Sequence, residues 1–451
     1  LKKGSILKLK IHDLAHGGDG VARTDSGRTV FISRTVPGDL VEAKVTKIKK
    51  NYAFANLKKI IKPAANRIEP PCPVFQTCGG CQLQQLDYQA ELELKTNNIK
   101  QLVNRIGGIN NFKLNPVQAA AAEFRYRNKA QFPLAINKAG KITAGFYQRG
   151  SHKVVPYHDC LIQHPLINRI LKVTLAELNK AELTVYNEHT LQGLLRHLVI
   201  RVGFCTNQAL LVLVTNRLEF KEKKAIARSL MKQIPELKGI MQNVNSANTN
   251  VIFGQQDLLL AGKAKIKEYI GKTVYSISAR SFFQVNTMQA EKLYSKVVSY
   301  LEAASAENVI DAFSGTGSIA LYLAEKVKQI YAIESLPQAV TDAKFNAELN
   351  QIEKIKFIQG QVEKELPALV AENEIDTIIF DPPRKGLAAE TLELLKNVNI
   401  ATLIYISCNP ATQARDLAIL KTDYNLVEIQ PVDLFPQTYH LESIALLKSK
   451  K

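Results

Sequence analysis

No stretch of this sequence approaches the roughly 20 consecutive apolar residues that a bilayer-spanning helix needs. Even Ala209 to Thr215, among the most apolar runs, is far shorter. The opening Leu1-Lys2-Lys3-Gly4 turns polar, without the apolar region of a secretory leader. The chain is therefore expected in the cytoplasm, with no membrane partner. Residues 85 to about 280 show no strong internal repeat and no low-complexity tract. Cysteines number only six, and a reducing compartment would leave them without a disulfide framework. Acidic residues are in short supply, with 41 Asp plus Glu against 59 Lys plus Arg, a net charge of +18. Apolar material is plentiful at 46% of residues, which excludes disorder as the main state. A length of 451 residues implies several domains. Nothing demands more than a monomer.

Excess positive charge speaks of partners rather than of fold. Its location is informative. Residues 1–62 carry 14 basic side chains and 5 acidic ones, half of the net charge in about a seventh of the chain. Such concentration marks a polyanion-binding module, with nucleic acid as the natural ligand. The same segment shows alternating apolar runs at Lys8 to Ile11, Thr29 to Ile32, Leu40 to Ile48 and Ala53 to Ile61. The turns His16-Gly17-Gly18-Asp19-Gly20 and Pro37-Gly38-Asp39 punctuate them. Short strands with Lys and Arg on the polar face predict a small β-barrel of the oligonucleotide-binding kind.

Three cysteines cluster after a proline-rich boundary, as Cys72, Cys78 and Cys81, with Gly79 and Gly80 allowing a tight turn. A metal site wants four ligands, and Cys160, in the polar run Tyr157-His158-Asp159-Cys160, is the natural fourth. Zinc on four thiolates and an iron–sulfur cluster both fit this spacing. A redox Cys-x-x-Cys pair fits less well, because no βαβ unit flanks it. Cys205 follows the apolar Val202-Gly203-Phe204 and reads as a small core residue.

From Tyr88 to Ile106 the apolar spacing is helical. Strand-like runs follow at Tyr126 to Pro133, Ile142 to Tyr147, Leu198 to Val202 and Ala209 to Val214, making residues 85 to about 280 an α+β region. Beyond about residue 290, short apolar runs at Val309 to Asp311, Ile330 to Ile333, Ile355 to Ile358, Thr377 to Phe380 and Leu403 to Ile406 alternate with helical stretches. That alternation predicts a doubly wound parallel sheet. Strand-like Leu426 to Ile429 and Ser443 to Leu447 close the chain.

Chemistry gathers at the ends of these runs. Asp311-Ala312-Phe313-Ser314-Gly315-Thr316-Gly317 takes a strand through a glycine turn into a helix, and Glu334 ends the next strand, where an acid can hold ribose hydroxyls. The third glycine of the dinucleotide fingerprint is missing, which points from a pyrophosphate cofactor to S-adenosylmethionine. Asp381-Pro382-Pro383-Arg384 is a stiff turn holding two charges over the crevice where ligands of such sheets bind. Cys408, in Ser407-Cys408-Asn409-Pro410, ends the fifth run. A thiol, an adenosylmethionine pocket and a basic module together match methylation of carbon 5 of a pyrimidine. Carbon 5 of uracil is a poor nucleophile until a thiolate adds to carbon 6, and a base must then remove its proton. Cys408 is the candidate nucleophile, Asp381 a candidate for the uracil edge, and His440 or Glu442 the candidate base.

With these motifs in hand, the chain resembles the RNA (uracil-5-)methyltransferase family. The resemblance runs through Ser281-Phe282-Phe283-Gln284-Val285-Asn286, Asp311 to Gly317, Phe380 to Gly386, Tyr405 to Pro410 and Phe435 to Ser443, together with the Cys72 to Cys81 run and the N-terminal strands. It implies three domains. These are an OB-like TRAM β-barrel over residues 1–62, a central α+β domain with a [4Fe-4S] cluster over 63–280, and an α/β Rossmann-like methyltransferase domain over 281–451. It assigns the cluster to Cys72, Cys78, Cys81 and Cys160, the nucleophile to Cys408 and the base to Glu442. For S-adenosyl-L-methionine it implies Gln284, Phe313, Glu334 and Asp381, the last also at the uracil edge. Ser318 and Gln361 depart from residues that some members carry at cofactor contacts. Members acting on transfer RNA generally look shorter, so the resemblance favours large-subunit (23S) ribosomal RNA as substrate.

Overall fold

The computed structural model describes residues 1–15 and 17–451. His16, the first residue of one expected turn, lies outside the described residues. Two compact units divide the chain. The first comprises Leu1–Asn98, Phe146–Val155 and Phe435–His440, and the second Ile99–Gly145, Pro156–Leu434 and Leu441–Lys451.

In the first unit, period-two alternation folds into a closed barrel. Its strands are β1 (Ile6–Leu14), β2 (Gly20–Arg23), β3 (Thr29–Ile32), β4 (Leu40–Ile48) and β5 (Tyr52–Lys62), in the order β1-β2-β3-β5-β4. Leu9, Ile11, Ala22, Val30, Ile32, Val41, Ala43 and Ala55 point inward and form its core. The residues between them, Lys8, Lys10, Glu42 and Lys44 among others, face solvent. Closure leaves the sheet no long free edge. The strand β2 escaped the sequence reading, because four residues beginning with Gly20 show too little alternation. The expected helix from Tyr88 runs to Leu102 and then widens into a π-helical turn, Val103–Gly107, closed by Gly108 at φ 59°.

A seven-stranded mixed sheet occupies the middle of the chain, in the order Gln256–Gly262, Leu237–Val244, Ala209–Thr215, Leu195–Val202, Lys129–Ile136, Ile142–Tyr147, Val154–Pro156. The strand expected over Tyr126 to Pro133 begins three residues later, at Lys129. Cys205 is not a core residue. The strand before it stops at Val202, and Cys205 lies exposed in the turn that follows, its N–H donating to Glu268 at 3.0 Å.

The doubly wound sheet expected near the C-terminus lies wholly in the second unit. Its eight strands run in the order Ile355–Gln359, Gln329–Glu334, Asn308–Ala312, Thr377–Phe380, Thr402–Ser407, Glu442–Ser449, Tyr424–Val432, Lys113–Leu114. The first five are parallel, and Glu442–Ser449 returns antiparallel to Thr402–Ser407. Strands covered on both faces are mostly apolar, and Thr377–Phe380 and Thr402–Ser407 are buried at every residue. Among the described residues no helix is long and apolar enough to cross a membrane.

Candidate active site

Strand order dictates where a ligand can sit. The chain leaves Asn308–Ala312 toward one side of the sheet and returns to form Thr377–Phe380 on the other. Ligands of open α/β sheets bind at the carboxyl ends flanking such a reversal. Phe313 and Asp381 are the residues that immediately follow these two strands. Glu334 ends the strand beyond Phe313, and Cys408 follows the strand beyond Asp381. Glu442 opens the antiparallel strand, so it falls at the same end. Along one sheet edge the order is Glu334, Phe313, Asp381, Cys408, Glu442. Three strand-to-strand steps separate Glu334 from Cys408, roughly 14 Å at the usual spacing.

The glycine turn is shaped for close approach. Phe313 adopts φ 67°, and Gly315 and Gly317 adopt 57° and 76°. A left-handed phenylalanine costs about 1–2 kcal/mol, a strain that clusters at ligand sites. The Gly315 N–H donates to one Glu334 carboxylate oxygen at 2.9 Å, and the Leu336 N–H donates to the other at 2.8 Å. Two amides thus aim this carboxylate while leaving it free lone pairs. Phe313 and Glu334 line a crevice of about 570 Å³ together with Gln361 and Pro383. Gln284, Asp381, Cys408 and Glu442 are not among its lining residues.

Beyond the crevice lie buried acids and a thiol. Cys408 stands between the last strand residue, Ser407, and Asn409, whose side chain caps the following helix by accepting from the Ala411 N–H at 3.2 Å. The Asn409 and Thr412 side chains donate to the Arg384 carbonyl at 3.1 and 3.3 Å, tying the Asp-Pro-Pro-Arg turn to the cysteine turn. Burial, then Glu442 and Asp381, push the Cys408 thiol up to about 11, while Arg384 pulls it down. Burial pushes Asp381 up to about 7. Burial and the neighbouring Asp381 hold Glu442 well above the usual carboxylate range, against the pull of Arg384. Burial, with Asp381 nearby, raises Asp311 to about 8. Asp381 and Asp311, raised in this way, exchange protons near neutrality.

Gln284 is set from behind. The Asn128 side chain donates to the Gln284 carbonyl at 2.9 Å, and the Asn128 N–H donates to the Val285 carbonyl at 2.8 Å. Asn286 caps the next helix and donates to the Leu434 carbonyl at 3.1 Å.

The sequence pattern of the tRNA (Uracil-5-)-methyltransferase family matches residues 87–450, and that of the TRAM domain matches residues 1–58. The chain belongs to this family of RNA uracil-5-methyltransferases. The methyltransferase is 40% identical to an uncharacterised RNA methyltransferase of Halalkalibacterium halodurans, an alignment covering 100% of this chain and 98% of the relative. It is 39% identical to one of Clostridium acetobutylicum, covering 99% and 98%. Among solved structures it is similar to the Pyrococcus abyssi tRNA (uracil-54, C5)-methyltransferase in complex with S-adenosyl-L-homocysteine. That match has a TM-score of 0.79 and 26% identity, over 98% of this chain and 100% of that one. Its activity is therefore S-adenosylmethionine-dependent methylation of uracil carbon 5 in RNA.

The methyltransferase's cysteine run lies in a loop of the first unit. The Gly79 N–H donates to the Tyr147 carbonyl at 3.0 Å, and the Gly80 N–H donates to the Cys78 sulfur at 3.4 Å. Burial raises the Cys72 and Cys78 thiols, with Cys72 adding to the rise at Cys78, while backbone N–H groups lower both. Thiols close together with amide donors aimed at sulfur suit soft-metal ligation. Cys160 belongs to the second unit, where its carbonyl accepts from Arg125 and Asn168, each at 3.0 Å. Among the described residues no three of His, Cys, Asp and Glu are gathered around a point that could hold one metal ion.

Sequence reasoning missed several residues that build the methyltransferase site. Asn128 has no motif of its own and acts across 156 residues of chain. Tyr294, buried in a helix, donates to Ser318 at 3.0 Å, and its hydroxyl is raised by burial and by Asp381, Asp311 and Glu442. His440, the alternative base, packs its ring 4.1 Å from that of Tyr439.

Proposed function

We propose that Cys408 adds to carbon 6 of a uracil in folded RNA and that Glu442 removes the proton from carbon 5. The observation that carries this reading is the meeting of thiol, Arg384 and two raised carboxyls at the end of one sheet edge. Arg384 favours the thiolate. Addition at carbon 6 moves the ring electrons toward the carbonyl at carbon 4, and a protonated Asp381 can donate to that edge. Bound S-adenosyl-L-methionine, held through Gln284, Phe313, Glu334 and Asp381, supplies an electrophilic methyl group. Glu442 then takes the carbon-5 proton, and the ring expels the Cys408 thiolate as its double bond re-forms. A uracil must leave its helix to present carbon 6 to a half-buried thiol, so base flipping belongs to this reading. Labelled methyl donor, RNA and mapped product test it, and unchanged turnover in Cys408→Ala would refute the covalent route.

We assign residues 1–62 to RNA grip, 63–280 to a cluster-bearing domain and 281–451 to chemistry, in the cytoplasm. Large-subunit ribosomal RNA is the proposed substrate, on the combination of barrel and cysteine run. A second reading, transfer RNA, draws on the full-length similarity to the archaeal transfer-RNA enzyme, which covers the barrel as well. Mapping 5-methyluridine in both RNAs from cells lacking the protein separates the two. A [4Fe-4S] cluster on Cys72, Cys78, Cys81 and Cys160 is proposed from the thiol and amide chemistry of the loop. The absorbance of anaerobically purified protein, lost in Cys81→Ala, tests it; a colourless zinc-loaded protein would overturn it.

A further inference from the structure

On the outer wall of the barrel, three aromatic rings stand where the fold does not need them. The inward residues of β3 and β5, Val30, Ile32, Ala53 and Ala55, are buried and fill the core. Phe31, Tyr52 and Phe54 alternate with them and point outward. Phe31 lies directly opposite Phe54 across the parallel pair. All three ring pairs have centroids 5.6 Å apart, so the rings form one triangular cluster. Tyr52 is 36% exposed, and Phe31 and Phe54 are half-buried.

Cations surround the cluster. Lys47 sits opposite Phe54 on β4, and Arg23 sits opposite Thr29 on β2. The Lys49 N–H donates to the Tyr52 carbonyl at 2.8 Å, and Arg28 donates to the Lys50 carbonyl at 3.4 Å. Asp25, in the turn between β2 and β3, is the acid nearest in sequence.

We propose that Phe31, Tyr52 and Phe54 form a stacking platform for unpaired bases of the substrate RNA, with the surrounding lysines and arginines holding its phosphates. The proposal rests on the reading of this chain as an RNA-modifying enzyme and names the contact surface and the form of RNA it takes. Aromatic faces stack on any base, whereas bases inside a duplex keep their faces covered. The platform therefore selects single-stranded RNA by form rather than by sequence.

The full-length protein and a labelled oligouridylate test this, with a paired RNA duplex as control. Tyr52→Leu and Phe54→Leu should each weaken oligouridylate binding about tenfold. Duplex binding and the dependence of affinity on salt should stay as they are, because no charge is removed. Tyr52→Phe should bind like the parent. The chain contains no tryptophan, so Tyr52→Trp installs a single indole at a partly exposed position. Its emission should be quenched by oligouridylate and not by duplex. Unchanged affinity in the leucine variants, equal losses on single strand and duplex, or an unquenched indole at saturating RNA would each overturn the platform. Methyl transfer is followed in parallel. Active parent enzyme with unaffected leucine variants removes the platform alone, whereas a parent that methylates no RNA removes the reading beneath it.

Discussion

Cys408 and Glu442 face each other across the end of an antiparallel ladder. Ser407 pairs with Ser443, so the residue after the first and the residue before the second fall opposite. This register explains why a carboxyl far away in sequence helps to raise the Cys408 thiol. Addition and proton removal involve adjacent ring carbons, so a nucleophile and a base set side by side suit a single base. Cys408→Ala should lose methyl transfer altogether. Glu442→Gln keeps the shape but not the basicity, and should slow product release by roughly 10²–10⁴-fold. RNA should then remain bound to protein through denaturing electrophoresis. Rapid release in Glu442→Gln would move the base role elsewhere, with His440 the next residue to replace.

The thiol itself should behave as a weak acid in the free enzyme. Pushed up to about 11, Cys408 is mostly protonated near neutrality. Alkylation by iodoacetamide follows the thiolate, so its rate at Cys408 should rise roughly tenfold per pH unit across the mildly alkaline range. Arg384 lowers this thiol, so Arg384→Met raises it further and leaves less thiolate at any given pH. Slower labelling of Cys408 in that variant, read by peptide mass spectrometry, is the expected outcome. A plateau near pH 7 in the parent would contradict the burial argument.

Much of this edge was legible in the sequence because each site residue adjoins a short apolar run. Such runs are strands covered on both faces, and a charged or nucleophilic residue just past one is conspicuous. Glu442 stood beside His440 as a candidate base, and it proves to be the first residue of the strand Glu442–Ser449. Residues acting at a distance left no such trace. Asn128 reaches Gln284, and Glu91 accepts from the Gln437 N–H at 2.9 Å, 346 residues away. A periodicity window of a dozen residues contains neither partner. The inclusion of Phe146–Val155 and Phe435–His440 in the first unit was invisible for the same reason.

Stability should depend on pH through the buried acids. Asp311, raised to about 8, and Asp381, raised to about 7, are protonated in the folded state at pH values where the unfolded chain has ionised them. Their contribution is fully present below the unfolded value near 4 and is lost as pH rises through the folded values. His197, lowered to about 4, acts in the opposite direction over part of this range, so the variant must be compared with the parent. Asp311→Asn stays neutral and can keep the bond from the Ala320 N–H, 3.0 Å in the parent. Between about pH 5 and 8 its melting temperature should fall less steeply than that of the parent. Parallel slopes in thermal denaturation would show that Asp311 ionises as readily folded as unfolded.

The segment just before the proposed base rests on a buried charge. Glu91 is fully buried and pairs with Lys95, 2% exposed, at 2.7 Å. Its two carboxylate oxygens also accept from the Gln437 N–H, at 2.9 and 3.2 Å. Gln437 itself sits at φ 70°, a strained conformation that needs such a partner to hold it. Removing the acid alone breaks the buried ion pair from one side, which typically costs about 3–5 kcal/mol. Glu91→Ala should therefore lower the denaturation midpoint sharply. Glu91→Met combined with Lys95→Met removes both charges of the pair and should recover most of that loss. The pair fixes Gln437 five residues before Glu442, so the double variant should still show slower release of methylated RNA. Full activity at restored stability would mean that the strained Gln437 turn holds its shape without the carboxylate.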